Sequence, residues 1–262
     1  MRSRTVQCLL AAALLLPTVA LAQEAGSSVF GLVDGRTAIQ YAVWSGGVWS
    51  RSGVALAEET PGAVVDLAGQ QHSIVLGAAR DEDWWNVGPR IFYRANGVPE
   101  LPRAGKYQTG PVGYWTTSQL GHAPFLEIES SLSLEQWDSI LVDAEPFEPG
   151  RPRAIEAAVW RASLGEESVT VFVADRTTPM NVAAPCVPWV RLLGIVDPAA
   201  GVTPVMTDTG TCEGQGIDFR RPFALIRRGG RLFVLMSFAA GLESDGELWE
   251  VAPAGLVQII GR

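Results

Sequence analysis

Short apolar runs separated by small glycine-containing turns recur along this chain, and no other feature constrains its fold as strongly. In one stretch, "PFALIRR" and "RLFVLMSF" are separated by Gly229-Gly230, which readily adopts the positive φ of a tight hairpin turn. The turn-like segments Asp245-Gly246 and Pro253-Ala254-Gly255 then precede "ELWEVA" and "LVQII". This pattern predicts a meander of four antiparallel strands joined by three short connections.

The same pattern occurs earlier in the chain with different residues. "TAIQYAVWS" is followed by Gly46-Gly47 and "VWSRSGVAL", and later "QHSIVLGAA", "EQWDSILVD" and "AIEAAVWRA" each suggest a further strand. When the second strand of each unit is aligned, the comparable positions are Ile39, Ile74, Ile140 and Phe233. Two of the intervals are near one and a half and two repeats of about 40–50 residues, the length of a four-stranded propeller blade.

With these turns and strands the sequence resembles the degenerate β-propeller repeats of secreted bacterial proteins. In such repeats a "DG" or "GG" turn follows an apolar strand, and an aromatic residue closes the next strand. The resemblance implies an all-β fold, a β-propeller of about five four-stranded blades. In such a ring "LVQII" would pair with "SSVFGLV" near the other end of the domain. A β-sandwich or two small β-domains would show the same short strands, so both remain alternatives.

The first residues have the order of a secretory signal peptide. Arg2 and Arg4 precede an apolar run, which is followed by Pro17 and the small-residue pattern "ALA". The pattern predicts a signal peptide over residues 1–22 and a periplasmic or extracellular protein. The apolar run is too short for a comfortable membrane span, so the mature chain is expected to have none.

Residues 23–262 are then expected to form a single all-β domain. The chain has a net charge of -8, and removing the signal peptide would take away two arginines and no acid. Such a surface disfavours nucleic acid as a partner.

Two cysteines, Cys186 and Cys212, follow the predicted signal peptide. In an oxidising compartment an isolated pair without CxxC spacing favours a disulfide over a metal or redox site. The bridge would close a loop of about 25 residues, worth about 3 kcal/mol in the chain-entropy model. It would hold residues 177–216, which are rich in proline and predicted to be irregular.

An acidic segment with two tryptophans is the candidate ligand site, and it is expected in a connection between strands. Its candidate binding residues are Asp81, Asp83, Trp84, Trp85 and Asn86. A tryptophan ring can cover the apolar face of a pyranose while carboxylates and amides bind its hydroxyls. The alternative is that the tryptophans pack against a sheet edge while the acids face water.

Glu127 and Glu129 are the catalytic candidates. Strict alternation in "FLEIE" predicts that both share one strand face with Phe125, at a spacing of about 7 Å. Two carboxylates at such a distance are compatible with glycosidic chemistry in which one is the acid and the other the base or nucleophile. An exposed strand face is the alternative interpretation.

No metal or other cofactor is expected from the sequence. His72 and His122 have no HxH, HExxH or cysteine partner that would make a transition-metal site. Calcium remains open at Asp34, Asp143 or Asp208, because hard cations accept scattered oxygen ligands without a fixed spacing.

No GxSxG elbow, P-loop or Rossmann glycine set is present in the sequence. The leading hypothesis is therefore a secreted or periplasmic non-enzymatic protein that binds a glycan or protein through propeller loops. A carbohydrate-active hydrolase using channel-facing carboxylates is one alternative, and a structural accessory of the cell envelope is another.

Overall fold

The computed structural model describes residues 28–51, 55–84, 88–97, 112–117, 121–142, 154–177, 189–197, 201–210, 219–240 and 243–260. Over these residues the chain forms eighteen strands and one short helix, α1 (Leu134–Val142), which confirms the all-β class. In chain order the strands are β1 (Ser28–Asp34), β2 (Thr37–Ser45), β3 (Val48–Ser50), β4 (Pro61–Asp66), β5 (Gln71–Leu76), β6 (Arg80–Trp84), β7 (Gly88–Asn96), β8 (Gly113–Thr117), β9 (Gly121–Pro124), β10 (Leu126–Ile128), β11 (Ala154–Leu164), β12 (Glu167–Thr177), β13 (Trp189–Asp197), β14 (Gly201–Gly210), β15 (Phe219–Arg228), β16 (Arg231–Ala240), β17 (Glu243–Ala252) and β18 (Gly255–Ile260).

The first sheet closes on itself as a six-stranded antiparallel barrel. Its ring runs β1–β2–β7–β5–β4–β8 and returns to β1. Strands β3 and β6 are attached outside the ring, to β2 and β7 respectively. The interior is filled by buried side chains that include Val64, Ile74, Tyr93 and Trp115. Ring closure removes the edges from all six strands, so the barrel is a packed unit rather than an open sheet.

A glycine in β1 is required where the barrel is most tightly packed. The Trp115 indole Nε1 donates a hydrogen bond to the carbonyl oxygen of Ile39 at 3.0 Å. A Cβ atom at Gly31 would lie 1.8 Å from that oxygen and 2.6 Å from the indole nitrogen. The register of β1 against β2 also shifts at this glycine, which marks a β-bulge.

Two further five-stranded sheets complete the fold. A central sheet packs on the barrel, and an outer sheet packs on the other face of the central sheet. The central sheet has the order β18-β17-β16-β15-β9, and the outer sheet has the order β10-β11-β12-β13-β14. Ile226 and Phe233 of the central sheet pack against the barrel, whereas Leu225 and Val234 pack against the outer sheet. Burial on both faces explains why the central segments "FALI" of β15 and "FVLM" of β16 are unbroken apolar runs rather than alternating ones, since neither face of these segments meets water.

The chain passes from the central sheet to the outer sheet at Phe125. This residue lies between β9 and β10, and its side chain is buried in the core shared by the two sheets. Its backbone N–H donates to the carbonyl oxygen of Phe223 at 3.0 Å, which holds the crossover against β15.

The segment "EQWDSILVD" was expected to be a strand, and that prediction is wrong because its residues through Val142 belong to helix α1. A capping box begins the helix: Ser133 Oγ accepts from the N–H of Gln136, and Gln136 Oε1 accepts from the N–H of Ser133. Trp137 and Leu141, one turn apart, pack on the far face of the outer sheet against Phe172. The i, i+4 spacing of these two apolar residues was the helical signal.

The propeller prediction is wrong, because the first strands close a barrel and the remaining strands form stacked layers instead of radial blades. The central and outer sheets do face each other as sandwich layers do, but neither alternative included a closed ring. The predicted pairing of "LVQII" with "SSVFGLV" is also wrong: β18 pairs with β17, while β1 pairs with β2 and β8. Strands β13 and β14 lie inside residues 177–216, which were expected to be irregular.

The C-terminal meander β15–β18 is confirmed, with one correction. Gly229 and Gly230 have φ of 58° and 70° in the predicted β15–β16 turn. Asp245-Gly246, however, lies inside β17 rather than in a turn. Gly246 faces the aromatic ring of Tyr41 on the barrel, so this glycine provides space for packing rather than for chain reversal.

Candidate functional site

The acidic segment with tryptophan lies on a strand, not in the connection that its sequence suggested. Asp81, Asp83 and Trp84 belong to β6 and pair with Ile91, Pro89 and Gly88 of β7. Trp85 and Asn86 lie outside the described residues.

Strand β6 extends beyond the barrel. Phe92 of β7 pairs with Ile39 of β2 on one edge and with Arg80 of β6 on the other. β5 pairs with β7 on the same edge as β6, since Arg94 accepts from the N–H of Gly77 just after β5, whereas Ala95 donates to Arg36 on the side of β2. On the opposite edge, the pairing of β7 with β2 stops at Phe92. Over the part of the chain that the structure describes, residues 88–91 therefore pair with β6 alone. We refer to residues 80–84 and 88–91 as the acidic ribbon, a two-stranded hairpin arm whose outer edges pair with no other strand of the described residues.

The two catalytic candidates lie in a different place, at the edge of the outer sheet. Glu127 is in β10 opposite Trp160, and Glu129 follows the end of that strand. Both carboxylates are exposed, while Phe125 is buried at the sheet crossover, so these three residues do not share one strand face as predicted. A glycosidic general acid needs a desolvated carboxyl group, and neither glutamate has that environment.

Arg221 is the cation near Glu127. Burial lowers the pKa of the Arg221 guanidinium, and the negative charge of Glu127 opposes that shift. The guanidinium also lies 6.0 Å from the ring centroid of Phe223. Glu127 therefore interacts electrostatically with a partly buried cation beside the sheet crossover.

A tyrosine–histidine pair that sequence reasoning missed joins the barrel to the central sheet. The Tyr114 hydroxyl on β8 lies 2.8 Å from Nδ1 of His122 on β9, and the two rings meet edge to face. Burial raises the pKa of Tyr114 far above its usual range, so the hydroxyl keeps its proton. It donates a hydrogen bond to Nδ1 when the ring hydrogen is on Nε2, and accepts one when Nδ1 carries the hydrogen. Burial also lowers the pKa of His122, which favours the neutral ring that can accept this bond. The only sequence signal was the presence of two polar aromatic residues in neighbouring apolar strands.

His72 has a structural role at the β4–β5 turn. Its Nε2 lies 3.3 Å from Oδ2 of Asp66. Oδ1 of the same carboxylate accepts hydrogen bonds from the N–H groups of Ala68 and Gln70. These hydrogen bonds stabilise the turn between β4 and β5, and His72 contributes to the turn through its contact with the Asp66 carboxylate.

A buried carboxylate, Glu247, was also missed by sequence reasoning. It lies on β17, and its Oε2 accepts a hydrogen bond from Nε1 of Trp249 at 3.1 Å. An acid in an otherwise apolar strand was the signal. Its burial between packed layers points to a structural part rather than to a solvent-accessible site.

The structure tests neither the metal prediction nor the disulfide prediction. No group of three or more His, Cys, Asp and Glu residues that could hold a metal occurs in the ranges that the structure describes. Asp143, Cys186 and Cys212 lie outside those ranges, and so the disulfide stays a prediction. No helix within the same ranges has the length and apolar character needed to cross a membrane.

Comparison with known proteins found no matching family model, no matching curated protein and no matching solved structure.

Proposed function

We propose that this is a non-enzymatic binding protein, exported from the cytoplasm, that recognises a neutral glycan through the acidic ribbon. The observation that supports the proposal is the position of the segment Asp81–Trp84, on a hairpin arm that extends past the barrel ring and pairs with no other strand of the described residues.

The residue types suit a sugar. Aromatic rings stack on the apolar face of a pyranose, and carboxylates or an amide accept and donate hydrogen bonds at its hydroxyls. Because the whole chain carries a net charge of -8, an acidic polysaccharide would be repelled, and a neutral glycan is favoured.

The acidic character of β6 also distinguishes a glycan from a protein strand. Charged residues on an edge strand oppose the addition of a further strand, because their charges would lie beside the new ladder. Asp81, Glu82 and Asp83 are consecutive in β6, so strand addition is disfavoured there.

The test is retention on a panel of neutral and acidic polysaccharides, measured by affinity electrophoresis. The double variant Trp84→Ala/Trp85→Ala should weaken binding to the retained neutral glycan by at least about tenfold, since two stacking rings are lost. Glu127→Gln is the matched control on another edge strand and should bind as the parent does.

Undiminished retention of the double variant would refute the ribbon as the site. A change in its far-ultraviolet circular dichroism would instead support the interpretation in which the tryptophans pack against the sheet.

A further inference from the structure

We propose that one internal water molecule binds at Gln40, where β7 leaves the barrel, and joins β2 to Ile91, the residue of the acidic ribbon next to the barrel. Its partners are the side-chain amide of Gln40, the carbonyl oxygen of the same residue and the backbone N–H of Ile91. This inference concerns the wall of the barrel and does not rest on the proposed function.

The side chain of Gln40 is a buried amide beside the apolar core of the barrel. It is 3% exposed, and its Nε2 has no hydrogen-bond partner among the described residues. A buried donor without a partner is costly, and native proteins satisfy nearly all such groups with protein atoms or ordered water. The position therefore requires a small hydrogen-bond acceptor.

The hydrogen bonds around Tyr93 determine which way this amide points. The Tyr93 hydroxyl accepts from the backbone N–H of Leu56 at 2.9 Å and donates to Oε1 of Gln40 at 2.6 Å. The opposite orientation of the amide would direct a second donor, Nε2, at an oxygen that already accepts from Leu56. The network therefore places the amide nitrogen on the side away from Tyr93.

Backbone groups of β2 and β7 face each other at this point. In an antiparallel pair, the residues whose N–H and C=O groups face the neighbouring strand alternate along the chain. The N–H of Ala95 donates to the carbonyl oxygen of Arg36 at 2.8 Å. Four residues further along β2, the facing pair is therefore Gln40 and Ile91.

The β2–β7 ladder ends before this pair is complete. Its last register position is Ile39 opposite Phe92, and β3 pairs with the same edge of β2 only from Val43. The bond that would complete the next pair runs from the Ile91 N–H to the Gln40 carbonyl oxygen. Buried backbone groups that leave a ladder are satisfied by side chains or by ordered water.

The opposite edge of β2 is irregular at the same place. Phe30 of β1 pairs with Ala42 and Gly31 with Gln40, so Tyr41 is an extra residue in the ladder. A bulge bends the strand that carries it, which accounts for the separation of β2 from β7 just beyond Ile39.

The polar groups at this position suit water better than an ion. Two N–H donors, on Nε2 of Gln40 and on Ile91, would repel a metal or ammonium cation. The carbonyl oxygen of Gln40 would oppose an anion, whose burial would also be costly. Water accepts from both donors and donates to the carbonyl oxygen, which gives the about three hydrogen bonds that a buried water typically makes.

Water–protein nuclear Overhauser spectroscopy of the isotope-labelled parent tests the proposal. A long-lived internal water gives cross peaks of opposite sign in the laboratory frame and the rotating frame, whereas surface hydration gives the same sign in both. We expect opposite signs at the Nε2 hydrogens of Gln40 and at the N–H of Ile91. The exposed side chain of Gln258 on β18 is the matched control and should show the surface pattern.

Two variants identify the source of the signal. Tyr93→Phe removes a hydroxyl hydrogen that could relay the signal from solvent, and both cross peaks should persist. Gln40→Met removes the amide at similar side-chain length, and the cross peak at Ile91 should be lost. Far-ultraviolet circular dichroism establishes that each variant is folded.

A parent without a long-lived water at either Gln40 or Ile91 would overturn the proposal. Cross peaks that vanish in Tyr93→Phe, or an Ile91 peak that persists in Gln40→Met, would also overturn it. If a variant does not fold, a crystal structure of the parent decides the question. A solvent peak about 2.7–3.2 Å from Nε2 of Gln40 would support the water site, and a protein acceptor at that distance would exclude it.

Discussion

Replacing Gly246 with alanine tests the docking of the barrel on the central sheet. Gly246 lies within β17, and a Cβ atom there would be 2.9 Å from two carbon atoms of the Tyr41 ring and 3.1 Å from a third. Tyr41 belongs to β2 of the barrel and is buried in the core that the barrel shares with the central sheet. The added methyl group therefore meets the other layer and not its own sheet.

The magnitude follows from two opposing effects. Ordinary carbon contacts are about 3.5–4.0 Å, so the buried ring would have to retreat by about 0.5–1 Å. Overpacking of this kind costs about 1–3 kcal/mol. Alanine in place of glycine within a strand regains about 0.5–1 kcal/mol, because the unfolded chain loses conformational freedom. We expect Gly246→Ala to lower the free energy of unfolding by about 1–2 kcal/mol.

A double-mutant cycle isolates the contact. In a Tyr41→Ala background the ring is absent, so Gly246→Ala should become neutral or stabilise by about 0.5 kcal/mol. Gly121→Ala is the matched control on β9, because a Cβ atom there would have its nearest neighbours at 3.8 and 3.9 Å. It should be neutral or slightly stabilising.

Guanidinium denaturation, followed by far-ultraviolet circular dichroism, gives each free energy of unfolding by linear extrapolation. An equal cost of Gly246→Ala with and without Tyr41 would refute the docking of β2 on β17. A stabilising effect of Gly246→Ala in the parent, like that of Gly121→Ala, would refute it as well.

Two other predictions concern pH and redox state. Burial lowers the pKa of His122 below its ordinary value of 6.5, so its contribution to stability is present above that pH and is lost as pH falls towards the folded pKa. Thermal unfolding measured from pH 8 to pH 5 should show this loss of stability. In the variant His122→Gln, whose side chain can still accept a hydrogen bond from Tyr114, the melting temperature should depend less on pH. The same pH dependence in parent and variant would contradict the role given to His122. Thiol titration of the unfolded, unreduced mature protein should find no reactive thiol if Cys186 and Cys212 are bridged, whereas two thiols per chain would exclude the bridge.

The candidate site could be predicted only in part. Composition identified the acidic segment with tryptophan as a candidate binding site. Its location on a hairpin arm could not be predicted, because the arm begins where the pairing of β7 with β2 stops, at Phe92. The alternation around Glu127 predicted one shared strand face, yet the chain changes sheets at Phe125, which breaks the alternation. The pair of Tyr114 and His122 joins two sheets, and no spacing rule brings such residues together.

Local chemistry in the sequence determined the hairpins. Gly229-Gly230 and Gly46-Gly47 take positive φ values between paired strands, because glycine alone adopts them without a steric cost. The continuous apolar runs of β15 and β16 likewise required burial on both faces, although their sequence did not show what would cover them.

Only the tertiary structure decided how the strands assemble. The barrel closes through β1 and β8, where Val29 bonds to Thr117 across 88 residues, and the identity of such a partner is not specified by any turn. The same short strands can form blades, sandwich layers or a ring. Which of these architectures forms depends on side-chain packing between segments that are distant in the sequence, such as the contact between Gly246 and the ring of Tyr41. This packing also has to offset the entropy lost when the long loops between those segments are closed.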